Sequence, residues 1–136
     1  MSQVPPRGIV RSGLDAAFEA DETRKSNLIL RARLLRDQQD DEQASQHFAE
    51  AAEIEASLSD RCAELGLVQK ALIHRFSAAS CWAHAGNFYQ AIAICDELLT
   101  RELPQRLRRD VEDFAGILRS RRARLYAQLS LVGASE

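Results

Sequence analysis

The sequence predicts an all-α protein of about five helices, paired as antiparallel hairpins and stacked as a small solenoid or bundle. Three observations carry that expectation. From residue 13 onward apolar residues recur at helical spacing, and no stretch of four or more alternates as a half-buried strand would. Only 6 Gly and 3 Pro stand among 136 residues, so few backbone breakers interrupt the elements. A content of 46% apolar and 28% charged residues suits a compact chain with one core rather than a disordered or collagen-like one. This length has room for one domain, expected over 13–131, with 1–12 as a flexible N-terminal segment and 132–136 as a flexible tail.

The first helix is expected to start near Ser12, with Leu14, Ala17 and Phe18 on one face. Residues 19–27 are polar nearly all round, so they form either an exposed helical bridge or a break before Leu28, Ala32 and Leu35 resume the stripe. A turn falls at 37–41, where a run of Asp and Gln would be costly to bury, and Asp40 or Asp41 is suited to cap the second helix. That helix carries Ala44, Phe48, Ala51, Ala52, Leu58, Cys62 and Leu65 and stops at Gly66, a residue that accepts the left-handed conformation found after helix ends. The third helix, 67–85, is apolar on most faces and ends at Gly86-Asn87. The fourth, 89–100, presents Ala91, Ile92, Cys95, Leu98 and Leu99. Pro104, tolerated in a first turn, opens the fifth, which runs to 131 with Leu107, Val111, Phe114, Leu118, Leu125 and Leu129 on one stripe. That stripe is expected to cover the preceding hairpin, while the Leu14/Phe18 segment either caps the domain or docks on another chain.

The chain repeats itself at an offset of 47, which brings Ala32 onto Ala79, Leu35 onto Trp82, Ala44 onto Ala91, Phe48 onto Cys95 and Ala51-Ala52 onto Leu98-Leu99. Small residues at matching places let two antiparallel helices approach closely while larger side chains fill the gaps above and below. This is a helical hairpin written twice. Its pattern resembles the tetratricopeptide repeat, at 25–58 and 72–105, each unit of the 34 residues that family uses. In the second unit Ala79, Trp82, Gly86, Phe88, Ala91, Cys95 and Leu98 stand where the family places small, aromatic, glycine, aromatic, alanine, bulky and small residues. In the first unit Gln39 replaces the turn glycine and Asp41 the turn aromatic.

The resemblance implies hairpins stacked as a right-handed solenoid, whose first helices line a groove for a peptide or helix of a partner protein. Carried onto this chain, the groove presents Ile29, Arg33, Arg36, Ile73, Phe76, Ser80 and His84. Arg with Ile and Phe suits an acidic-hydrophobic segment, because aromatic and Arg side chains are the usual anchors of interfaces. The other reading of Ile73 and Phe76 is that they are core, packed under the first or last helix.

Charge is unevenly distributed. Between 37 and 64 nine acids stand against one base, and between 101 and 136 eight Arg stand against five acids, although the whole chain carries only -2. Arg119, Arg121, Arg122 and Arg124 form a candidate anion-binding set. Its expected uses are a solvated or acid-paired helix face, in cis with the second helix or across a homodimer; a nucleic-acid surface is the less favoured alternative.

No phosphate loop, zinc-protease or serine-hydrolase motif is present, and Cys62, Cys81, Cys95 and the three His lack the spacing of a metal site, so the expectation is a non-catalytic adaptor without cofactor or metal. Unpaired cysteines, no apolar leader and no membrane-spanning stretch point to a cytoplasmic protein, and 16 Arg against 2 Lys to a GC-rich bacterial genome.

Overall fold

The computed structural model describes residues 13–134; the segment 1–12 lies outside them. Five helices follow in order: α1 (Ala16–Asp37), α2 (Asp41–Glu64), α3 (Val68–His84), α4 (Phe88–Leu99) and α5 (Gln105–Ala134), with no strand among the described residues. Each packs chiefly on its neighbours in the chain, so the path is a succession of hairpins.

Local chemistry sets the ends of these helices. Asp15 rather than Ser12 starts α1, because its Oδ1 accepts the Phe18 N–H at 2.9 Å. Asp40 does the same for α2 through Gln43, and Asn87 for α4 through Gln90. The first three turns share one closure, in which the amide after the left-handed residue reaches back five residues: Asp40 to Leu35, Leu67 to Cys62 and Asn87 to Trp82, at 2.8–2.9 Å. The left-handed residue is Gly66 (φ 75°) in the second turn and Gly86 (φ 83°) in the third. In the first it is Gln39 (φ 64°), so the same turn forms there without glycine.

The polar stretch 19–27 does not break α1. Asp21, Arg24 and Lys25 pair with Arg61, Glu50 and Glu55 of α2, so this part of α1 is strapped to its neighbour by charge where apolar residues are sparse. Leu14 and Phe18 cap their own domain: Phe18 is 1% exposed and joins Leu14, Ile54, Leu58, Cys62 and Ala71 in one cluster. Alanine-sized contacts do bring the helices together, since Ala32, Ala44, Ala51, Ala52, Ala79 and Ala91 are buried and Trp82 packs beside Ala91, Ile92 and Leu118.

The first half of α5 covers α4 with Leu107, Val111, Phe114, Ala115 and Leu118. The expected continuation of that cover through Leu125 and Leu129 does not occur. α4 has 12 residues and α5 has 30, so the stripe outruns the helix it lies against, and from 119 to 131 every side chain is exposed except half-buried Arg122. Of the expected tail, 132–134 continue α5, and 135–136 lie outside the described residues.

Candidate functional site

Alternation of direction brings the C-terminal ends of α1 and α3 and the second half of α5 to one end of the stack. There Phe48, itself 2% exposed, is a platform for two side chains from different helices. The His84 ring stacks on it at 5.0 Å and 24°, and the Arg36 guanidinium lies 4.9 Å from its centroid. Arg36 Nη2 also donates to the His84 carbonyl at 2.6 Å, neutralising the carbonyl end of α3. Packing lowers the pKa of His84 below its ordinary value, and the charges of Arg36, Arg33 and Arg121 add to that shift. Arg33 and Arg36 come from α1, His84 from α3 and Arg121 from α5, so residues of both expected sets meet at this end.

Ion pairing separates these arginines from the others. Arg24, Arg61, Arg75, Arg101, Arg108 and Arg119 each have a carboxylate within 4.0 Å, whereas Arg33, Arg36, Arg121, Arg122 and Arg124 have none among the described residues, a property they share with Arg31, Arg106 and Arg109. Arg119 therefore leaves the expected anion-binding set: it is held by Asp96 of α4. No described pair joins α5 to the acidic α2; the partners of α2 lie on α1 and α3.

The remaining groove candidates divide. Phe76 meets Phe114 of α5 edge to face at 5.6 Å, and Ile29 packs on the cluster of Ala51, Ala52 and Cys81, so both belong to packed layers. Ile73 is exposed, and Ser80 is half-buried.

Beside the cationic end lies a cleft of about 520 Å³ between the α3–α4 turn and α5. Its floor is formed by Gly86, Asn87, Phe88 and Tyr89, its wall by Arg122, Leu125, Tyr126, Gln128 and Leu129. No carboxylate among the described residues lines it.

A buried polar cluster lies outside the residues that the sequence singles out. Glu55 is 2% exposed; its Oε1 lies 3.0 Å from His74 Nδ1, whose N–H donates to it, and 3.5 Å from Lys25 Nζ. Phe18 meets the His74 ring edge-on at 5.8 Å. The signal was available, because Glu55 falls on the apolar stripe of α2 between Ala51-Ala52 and Leu58. The cluster ties α1, α2 and α3 together and opens into none of the clefts described.

The three cysteines are free and buried, and burial pushes the thiols of Cys81 and Cys95 up to about 11. Among the described residues no group of three His, Cys, Asp or Glu side chains could hold a metal ion. No described helix is long and apolar enough to cross a membrane. Comparison with protein-family models, with curated proteins and with solved structures finds no match.

Proposed function

We propose that this chain is a non-catalytic interaction module that holds an acidic, partly apolar segment of another protein at the cationic end of the stack. The observation that supports it most is the gathering of Arg33, Arg36 and Arg121 near His84, from helices not adjacent in sequence and with no carboxylate partner among the described residues. Six arginines elsewhere in the molecule are matched by acid. A cluster without acid partners offers an acidic ligand complementary charge. The resemblance to tetratricopeptide repeats supports the same reading, since the residues concerned include three of the groove positions it implies. Cytoplasmic residence belongs to this reading and draws support from the three unpaired thiols.

Fluorescence anisotropy of the full chain tests it with two labelled peptides, one combining Glu with Leu and Phe, the other carrying Gln at each Glu position. The acidic peptide is expected to bind more tightly, and Arg33→Glu with Arg121→Glu to weaken it by about tenfold or more, the equivalent of about 1.4 kcal/mol. Equal binding of the two peptides overturns the proposal. Binding of duplex DNA or RNA with a steep salt dependence that weakens on replacing Arg121 and Arg122 would favour the nucleic-acid alternative instead.

A further inference from the structure

From the outrun of α5 past α4 we infer that the chain forms a two-fold dimer, in which the second half of α5 from each copy packs antiparallel against that of the other, over the cleft at the α3–α4 turn. The inference stands on the stripe of α5 and the cleft, and its test reads mass and hydrogen exchange rather than ligand binding.

The first support is the stripe itself. Leu107, Val111, Phe114 and Leu118 lie on the face that α4 covers, and Leu125 and Leu129 continue the same face, exposed on the wall of the cleft. Leu125 is 45% exposed, Tyr126 63% and Leu129 66%. A helical run of this length is marginal in water without packing, so an uncovered apolar face on it calls for a cover.

The second support is shape. α5 stands past the end of the α3–α4 hairpin as a wall of about 20 Å, at 1.5 Å for each residue of 121–134. Wall and turn form a corner open toward solvent. A second corner turned by 180° closes on the first, each wall filling the other's opening and each tip approaching the other's turn. Such an interface is isologous, the commonest kind in soluble oligomers.

Charge agrees with one register. With Leu125 opposite Leu129 of the second copy, Arg124 stands opposite Ser130, and Arg122 and Arg121 lie farther from the two-fold axis. The matching arginines of the two copies are then about 9–18 Å apart along the axis, at or beyond the screening length of about 8 Å at physiological salt.

Area is sufficient. Covering Tyr89 and Tyr126, 77% and 63% exposed, removes about 280 Å² per copy if a whole tyrosine offers about 200 Å². The leucines of the same face add nearly as much again, so two copies bury about 1,000 Å², the lower bound for a biological interface and the size of a weak, concentration-dependent one.

Sedimentation equilibrium of the full chain from 1 to 200 µM tests the inference, with Leu125→Glu, Leu129→Glu and the control Leu34→Glu, an exposed position on α1. The expected result is a mass of about twice 15.2 kDa that falls to one chain in both α5 variants and stays double in the control. Amide hydrogen exchange of wild type should show 121–131 protected at high concentration and open at low, a readout that needs no variant to fold. A single-chain mass at 200 µM overturns the inference, as does a dimer indifferent to both α5 substitutions.

Discussion

Glu55→Ala removes the one carboxylate that Lys25 and His74 both reach, in a place where water cannot substitute for it. Breaking a buried pair by deleting one partner costs about 3–5 kcal/mol. The lower part of that range applies, because the Lys25 side chain is 17% exposed and its ammonium can turn toward solvent, whereas His74 cannot follow. A loss of about 3 kcal/mol is a large share of the roughly 5–15 kcal/mol that holds a domain folded. Urea unfolding followed by far-UV circular dichroism and by the single Trp82 measures it, with Glu53→Ala, exposed on the same helix, expected to change stability by no more than about 0.5 kcal/mol. If Glu55→Ala costs less than about 1 kcal/mol, the range of exposed ion pairs, the cluster does not fasten the three helices and the reasoning fails.

Ala91→Leu tests the close approach of helices: Ala91 has no exposed surface and lies against Ile92, Leu118 and Trp82, so the larger side chain should destabilise by about 1–3 kcal/mol in the same assay, while a gain in stability would show spare room. His84 provides a pH readout. Its folded pKa lies below the ordinary value of 6.5, so the neutral ring is favoured by folding; that contribution is complete above about pH 6.5 and is lost as pH falls through the depressed value. An NMR titration of the His84 ring should show the low pKa in the free protein and an upward move when the acidic peptide binds, because a carboxylate offsets the arginines. A midpoint at or above 6.5 in the free chain would contradict the packing described.

The helices were legible because their punctuation is chemical: Gly66, Gly86-Asn87 and Pro104 interrupt 3.6-residue periodicity at places where the structure turns. The alanine pairing of the two hairpins was legible for the same reason, since small residues at a fixed offset have few uses besides close contact. The exposed end of α5 was not. Leu125 and Leu129 have the periodicity of covered residues, and only the relative lengths of α4 and α5 reveal that their cover stops. Phe76 shows the converse, a groove position by repeat register that Phe114 of a later helix occupies from outside the repeat. The meeting of Arg33, Arg36 and Arg121 depends on which helices share an end, a property of hairpin stacking that no local window contains.

Because each helix leans mainly on the one made just before it, the contacts that stabilise the chain span short stretches of sequence. Closing them demands little loop entropy, which favours rapid folding. During synthesis the α1–α2 pair can therefore settle before α5 has left the ribosome, and an extra hairpin duplicated into the middle would lengthen the array without forcing the existing layers to rearrange.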